Sequence, residues 1–388
     1  MLAAAAFVLA AACAGDGPTA AAGAGAQAAA PAPVAAPVPR TFRHVLVISV
    51  DGLRPDAIDG PEDGPLPGFR RLLRGPHTLQ ARADAELTIT LPNHVSMVTG
   101  RPVAGPAGHG WRENGDPPSV NQGGSLHRRN GSYVASMFDV AHDRGAATAV
   151  IATKSKFALV AQSYDDGEGA ADAVGTNDGK DKVDAFACVR TSRMARDAAA
   201  AWLRSQPGAS LTLLHFAAPD SAGHGSGWDL QAGSPYRRAV EEVDAELAAL
   251  LAGIEADPVL RGEVAIVLTA DHGGGVPFIS HTDPRASMNF LIPFVVWLGA
   301  DAPPTELTAL NADRRAAVPA EEYVPADAPQ QPIRNAEAGN LALQLMGLPP
   351  IPGSVANAKQ DLLLAEPGTA PPSAPSASPA ASPGAPGR

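Results

Sequence analysis

The sequence predicts an α/β fold, a three-layer α/β/α sandwich around a mainly parallel sheet, and three observations carry that expectation. Short apolar, β-branched runs recur at His44–Val50, Ala147–Ala152, Leu211–Phe216, Val264–Thr269 and Phe290–Leu298, with helical patterns between them. The runs are apolar along their whole length, as in strands covered on both faces. Asp or His residues follow several of them, where open α/β sheets place their ligands.

Taken in order, His44–Val50 runs directly into Asp51-Gly52, although a lone Asp there could equally cap the next turn. Leu66–Leu73 reads as a short helix. Thr88–Gly100, TITLPNHVSMVTG, alternates and then turns helical, with Pro92 presetting φ in the first turn. Thr90 therefore falls at or beside a helix N-terminus, where unpaired N–H groups favour an anion. An isolated Thr in that place is more often only an N-cap. The chain then reads as loop through Asn130, with His109, Trp111 and Asn114 inside it. Ser132–Asp143 has helical spacing, and Lys154 and Lys156 alternate in the turn after Ala147–Ala152. Asp165–Asp184 is rich in Gly and Asp without periodicity; its spacing does not match an EF-hand, so a solvated excursion is expected. Thr191–Leu203 opens on a capping hydroxyl, Tyr236–Ile254 is amphipathic, and Asn335–Leu348 closes the domain as a helix.

A formal net charge of -11 over 388 residues argues against a nucleic-acid groove. The two cysteines, Cys13 and Cys188, can form neither a disulfide framework nor a thiolate zinc site, so any metal is held by Asp and His. Residues 2–12 form an apolar run too short to span a bilayer and read as an export signal. Small residues running into Cys13 resemble a lipoprotein signal, although Leu9 stands one position too far away and a positive n-region is missing. The expected product is exported, either lipid-anchored in the cell envelope through Cys13 or secreted. Thr19–Pro39 reads as an Ala/Pro spacer. The expected organisation is thus signal and spacer over 1–40, a catalytic domain over 41–365, and a Pro/Ala/Ser tail over 366–388.

The candidates for chemistry are Asp51, Thr90, Asp220, His224, Asp271, His272 and His281, each just past an apolar run or in the loop after one. Singly, each is more often structural. The adjacent pair Asp271-His272, backed by three glycines, and Asp220 with His224 four residues on, are spaced to meet cations. Oxygen and imidazole donors suit zinc best, with manganese or iron as substitutes.

These residues resemble a family. From about His44 to Ser354 the chain is similar to the alkaline phosphatase superfamily, in its type I phosphodiesterase and nucleotide pyrophosphatase branch. The blocks that carry the likeness are Asp51-Gly52, Thr90-Leu91-Pro92-Asn93 continuing to Thr99-Gly100, His109-Gly110, Asp220 with Gly223-His224, Asp271-His272-Gly273, His281 and Ile351-Pro352-Gly353-Ser354. The resemblance implies two zincs, one held by Asp220, His224 and His281, the other by Asp51, Asp271 and His272 with Thr90. It implies Thr90 as nucleophile of a phosphothreonine path and Asn114 as donor to a phosphoryl oxygen. The substrate is then a small phosphate ester, with diesters or pyrophosphates preferred. Leu91 stands where nucleotide pyrophosphatases commonly carry an aromatic, which weakens the case for a nucleoside pocket. Lys154 and Lys156 are candidate substrate-binding residues as well as candidate solvated lysines; delivered to the phosphate, they would favour a phosphomonoesterase or a phosphonoacetate-type C–P hydrolase. The reading from a different class is a catalytically inactive, surface-anchored binding protein.

Overall fold

The computed structural model describes residues 41–59, 65–299 and 304–366. The expected export signal, Cys13, the Thr19–Pro39 spacer and the tail from residue 367 lie outside the described residues.

The apolar runs do form strands, and among the described residues the sheet has eight: β1 (His44–Val50), β2 (Pro76–Arg82), β3 (Ala147–Ala152), β4 (Ala185–Cys188), β5 (Ser210–Phe216), β6 (Val264–Thr269), β7 (Leu291–Trp297) and β8 (Thr305–Glu306). Their order is β4-β3-β5-β1-β6-β7-β2-β8. All pairings are parallel except those of β7, which runs antiparallel to β6 and β2. In β1, β5 and β6 every residue is buried, because helices cover both faces. The helix Pro235–Ala256 packs with Pro67–Leu73, Ser192–Ser205 and Ala218–Ser226, while Thr90–Thr99, Met137–His142 and Ala338–Leu345 pack together, the last two also against the sheet.

Register places the site. Ser49 of β1 stands opposite His215 of β5 and Thr269 of β6. Asp51 and Asp271 each follow two residues later, so parallel pairing brings them level at one sheet edge. β3 pairs with β5 in the same sense, which carries Lys154 to that edge.

Some expectations need correction. Residues 132–135 are not helical: the helix is Met137–His142, and it starts where Ser136 accepts from the N–H groups of Phe138 and Asp139 in a capping box. The segment before Asn130 is not all loop, since Leu126–Asn130 forms a short helix. β2, β4 and β8 carry no apolar run. β4 alternates half-buried and exposed residues at the sheet border, and β2 is buried chiefly at its two ends. Asn335–Leu348 divides into a 3-10 turn, Asn335–Glu337, and the helix Ala338–Leu345.

Candidate metal centre and active site

Thr90 is the first residue of its helix, and extended Ile89 occupies the N-cap position. The Thr90 hydroxyl makes no capping bond; it lies 3.3 Å from His272 Nε2. The capping alternative therefore fails for geometric reasons. Asn93, fully buried in the same helix, fastens this end: its Oδ1 accepts from Asp84 N and Asn335 Nδ2, and its Nδ2 donates to the carbonyls of Leu87 and Ile89.

The acids and imidazoles among the seven candidates, Asp51, Asp220, His224, Asp271, His272 and His281, converge here, whereas His109 lies apart against Ser96 and Trp111. His272 Nε2 is 3.1 Å from Asp271 Oδ2 and 3.6 Å from Asp51 Oδ1. His224 Nε2 is 3.4 Å from Asp220 Oδ1 and 3.1 Å from His281 Nε2, which is itself 3.6 Å from Asp220 Oδ1. The rings of His272 and His281 stack at 3.6 Å, so the two groups adjoin. Asp51, Asp271 and His272 form one set able to share an ion; Asp220 and His281 form another with His272, and His224 stands beside it.

The hydrogen bonds define what these groups can hold. Nδ1 of His272, His281 and His224 faces the carbonyl of Gly273, Thr88 and Ile279 respectively. A carbonyl only accepts, so each ring carries its proton on Nδ1 and presents a bare Nε2. Each carboxylate is likewise divided. Asp51 Oδ2 accepts from Lys154 and His215, Asp220 Oδ2 from Lys154, and Asp271 Oδ1 from the N–H groups of Gly52 and His272. The other oxygens, Asp51 Oδ1, Asp220 Oδ1 and Asp271 Oδ2, are buried without a hydrogen-bond partner. Unprotonated nitrogens facing unpartnered carboxylate oxygens repel unless a cation lies between them. This donor set of nitrogen and oxygen fits a divalent ion such as zinc.

Lys154 bridges the halves, with Nζ 2.6 Å from both Asp51 Oδ2 and Asp220 Oδ2. Burial disfavours its charge, but the two carboxylates outweigh burial and raise its pKa. Burial, joined by the Asp51 charge, pushes Asp271 well above the carboxylate range. Asn114 Oδ1 accepts from Leu91 N at 2.9 Å and from Lys156 Nζ at 3.1 Å, which leaves its Nδ2 as donor above the Thr90 turn. Burial, then Lys154, lowers the Lys156 pKa. Both lysines thus point into the site rather than into solvent.

Several contributors were not singled out in the sequence. His215, the polar residue in the apolar LTLLHF run, orients Asp51 from 3.0 Å. His94 donates from Nδ1 to the Thr90 carbonyl and accepts from Ser49 Oγ. Asn335 donates to the Asp271 carbonyl, and Trp228 and Tyr236 both donate to the Gly52 carbonyl. Gly52 itself has φ +69 and lies so near Asp220 that a Cβ would approach its Cα to 3.0 Å.

The sequence matches the family described as type I phosphodiesterase / nucleotide pyrophosphatase over residues 45–277, more than half of the chain. No curated protein sequence matches. Among solved structures, a protein of the alkaline phosphatase superfamily from Vibrio parahaemolyticus is 14% identical, with a TM-score of 0.49 over 79% of this chain and 67% of that one. A candidate sulfatase from Bacteroides fragilis is 13% identical, with a TM-score of 0.50 over 87% and 80%. Murine ectonucleotide pyrophosphatase/phosphodiesterase 5, in an inactive form with AMP, is 16% identical, with a TM-score of 0.47 over 83% and 100%. At such identities the likeness is one of fold. The family match, together with the converging acids, imidazoles and hydroxyl, identifies the chain as a member of the type I phosphodiesterase/nucleotide pyrophosphatase family, metal-dependent phosphoryl hydrolases of phosphodiesterase and pyrophosphatase type.

Proposed function

We propose that the chain cleaves phosphodiester or pyrophosphate bonds of a small phosphate ester through a phosphothreonine on Thr90, with two zinc ions held by Asp51, Asp271 and His272 and by Asp220, His224 and His281. The observation that carries this reading is the Thr90 hydroxyl, uncapped and 3.3 Å from His272 Nε2, beside three carboxylates that each leave one oxygen without a partner. Bound ions of this kind lower a hydroxyl pKa and neutralise phosphoryl charge.

The chain's own residues supply the remainder. Thr90 Oγ1 gives up its proton and forms the new bond to phosphorus as the bond to the leaving oxygen breaks and that oxygen takes up a proton. Water then adds to phosphorus, breaking the bond to Thr90 Oγ1 and releasing the phosphate monoester that the first step left on the threonine. The N-terminal end of the Thr90 helix favours the anion. Asn114, its Oδ1 held by Leu91 and Lys156, directs Nδ2 at a non-bridging oxygen. The AMP bound to the murine protein agrees with a small phosphate ester as substrate.

One observation favours a second reading, a phosphomonoesterase or phosphonoacetate-type C–P hydrolase: Lys156 sits against Asn114, where the extra anionic oxygen of a monoester would need a donor. Metal analysis combined with hydrolysis of bis-nitrophenyl phosphate and nitrophenyl phosphate tests both readings. The absence of both bound metal and turnover would refute this reading; a strong monoester preference would select the second one.

We also propose export, with the catalytic domain over 41–365 following a signal and spacer. Mass spectrometry of the mature N-terminus checks this: a lipidated Cys13 means anchoring, a free terminus beyond it means secretion, and a retained Met1 refutes export.

A further inference from the structure

The Gly- and Asp-rich excursion 165–184 has little apolar surface with which to pack, yet it is fastened: Glu168 binds Arg128, Ala170 N donates to the Tyr133 hydroxyl, and residues 172–184 are held at a further place. That place lies at the N-terminal end of β3, opposite the edge that carries Lys154. Asp184 Oδ2 accepts from Thr148 N at 2.7 Å, Asp143 Oδ2 accepts from Ala173 N at 2.9 Å, and Asp172 Oδ2 accepts from Asp178 N at 2.9 Å. His142, the last residue of the Met137–His142 helix, points into the middle of this group.

The His142 side chain is 9% exposed, and its Nδ1 has no hydrogen-bond partner. That nitrogen lies 3.4 Å from Asp172 Oδ1 and 3.8 Å from Asp178 Oδ1. Ligands held about 2.0–2.2 Å from a tetrahedral zinc stand about 3.4 Å apart, which is the His142–Asp172 separation; Asp178 stands slightly farther off, and one ligand atom from each of the three residues lies within 4.8 Å of the others. On the far side of the ring, Nε2 faces Asp184 Oδ1 at 3.5 Å. A carboxylate against the second imidazole nitrogen fixes the tautomer and leaves Nδ1 bare, as it does behind metal-ligating histidines.

Charge points the same way. Asp172, Asp178 and Asp184 face the ring and Asp143 follows His142 in the chain, while the ammonium among these acids is Lys182, which pairs with Asp143 and with Asp172. Three acids therefore remain in excess of that one cation. Lys182 approaches Asp172 Oδ1, but a carboxylate oxygen has two lone pairs, so the direction toward His142 stays available. Asp178, 66% exposed, leaves the site open for an ion to enter.

We infer that His142, Asp172 and Asp178 form a structural site for a divalent transition ion, zinc being best suited to one imidazole and two carboxylates, with water completing the shell. The ion fastens the excursion to the helix end. The site is distinct from the hydrolytic centre and does not depend on the function proposed for it.

The test is the zinc content of the full-length protein after saturation and desalting, measured in wild type, Asp178→Asn, His142→Gln and Asp181→Asn. Asp178→Asn and His142→Gln should each hold about one ion per chain fewer than wild type while keeping phosphate-ester hydrolysis. Asp181→Asn, in the same segment but outside the donor set, should match wild type. Because Asp178 is exposed, its variant keeps the test valid if His142→Gln fails to fold. Equal zinc in wild type and Asp178→Asn would overturn the inference, as would the same loss in Asp181→Asn, which would mean diffuse surface binding.

Discussion

A threonine hydroxyl is a poor nucleophile, and what distinguishes Thr90 is its surroundings: the helix start, His272 Nε2 at 3.3 Å, and Asn114 over the following residue. Thr90→Ala should lower turnover on the order of a thousandfold or more, with metal content kept, because no neighbouring group can accept the phosphoryl group. Paired rate and metal measurements check this, and wild-type rates in the variant would refute the covalent path. Lys156 gives a second test at this scale. Lys156→Ala should cost a monoester about tenfold or more in kcat/KM and a diester much less, since the monoester dianion carries the oxygen that this ammonium would meet. An equal loss on both substrates would mean that Lys156 acts through Asn114 alone.

At the scale of the element, the helix Thr90–Thr99 holds its N-terminal end in place through Asn93. This one side chain satisfies Asp84 N, Asn335 Nδ2 and two carbonyls, and Asn335 in turn holds the Asp271 carbonyl. Removing it leaves several buried polar groups unpaired at about 1–3 kcal/mol each, partly relieved by relaxation. Asn93→Ala should therefore lower stability by about 3 kcal/mol and reduce activity, although Asn93 touches no candidate metal ligand directly. Urea denaturation reads the first effect as a lower midpoint at unchanged slope. An unchanged midpoint would show that these bonds contribute nothing.

For the whole molecule, buried neutral histidines set the acid limit. Burial, with Arg43 adding, lowers His44 to about 4, and burial lowers His109 to about 3. His109 accepts from Trp111 N at Nδ1 and faces Ser96 Oγ through Nε2, so protonation would break a bond. The sign follows from proton uptake. Below about pH 6.5 the unfolded chain binds protons that the folded chain refuses, so stability is complete above that pH and declines as pH falls toward 4. Each such histidine steepens the decline by at most about 1.4 kcal/mol per pH unit, and His109→Gln should flatten it by up to that amount. Denaturation midpoints across pH 4–7 measure this. Chelation is the complementary test: stripping metal should abolish hydrolysis and lower Tm, with zinc restoring both, because the unpartnered carboxylate oxygens and bare imidazole nitrogens would then face one another uncompensated.

The sequence by itself determined the strand cores, the helix start at Thr90 and the seven candidate ligand and nucleophile residues. Each of these is marked locally, by an apolar run or by a polar residue just past such a run or in the loop after it. The tertiary structure alone decided the antiparallel course of β7 and the strands β2, β4 and β8, whose pairing depends on neighbours rather than on their own composition. It also decided that Lys154 spans Asp51 and Asp220, 103 and 66 residues away, and that His215 and Asn335 position the acids. A lysine in a turn has the same local sequence whether it faces solvent or a carboxylate pair. Its direction is set by the register of β3 against β5 and of β5 against β1, a property of the assembled sheet that no stretch of the chain carries alone.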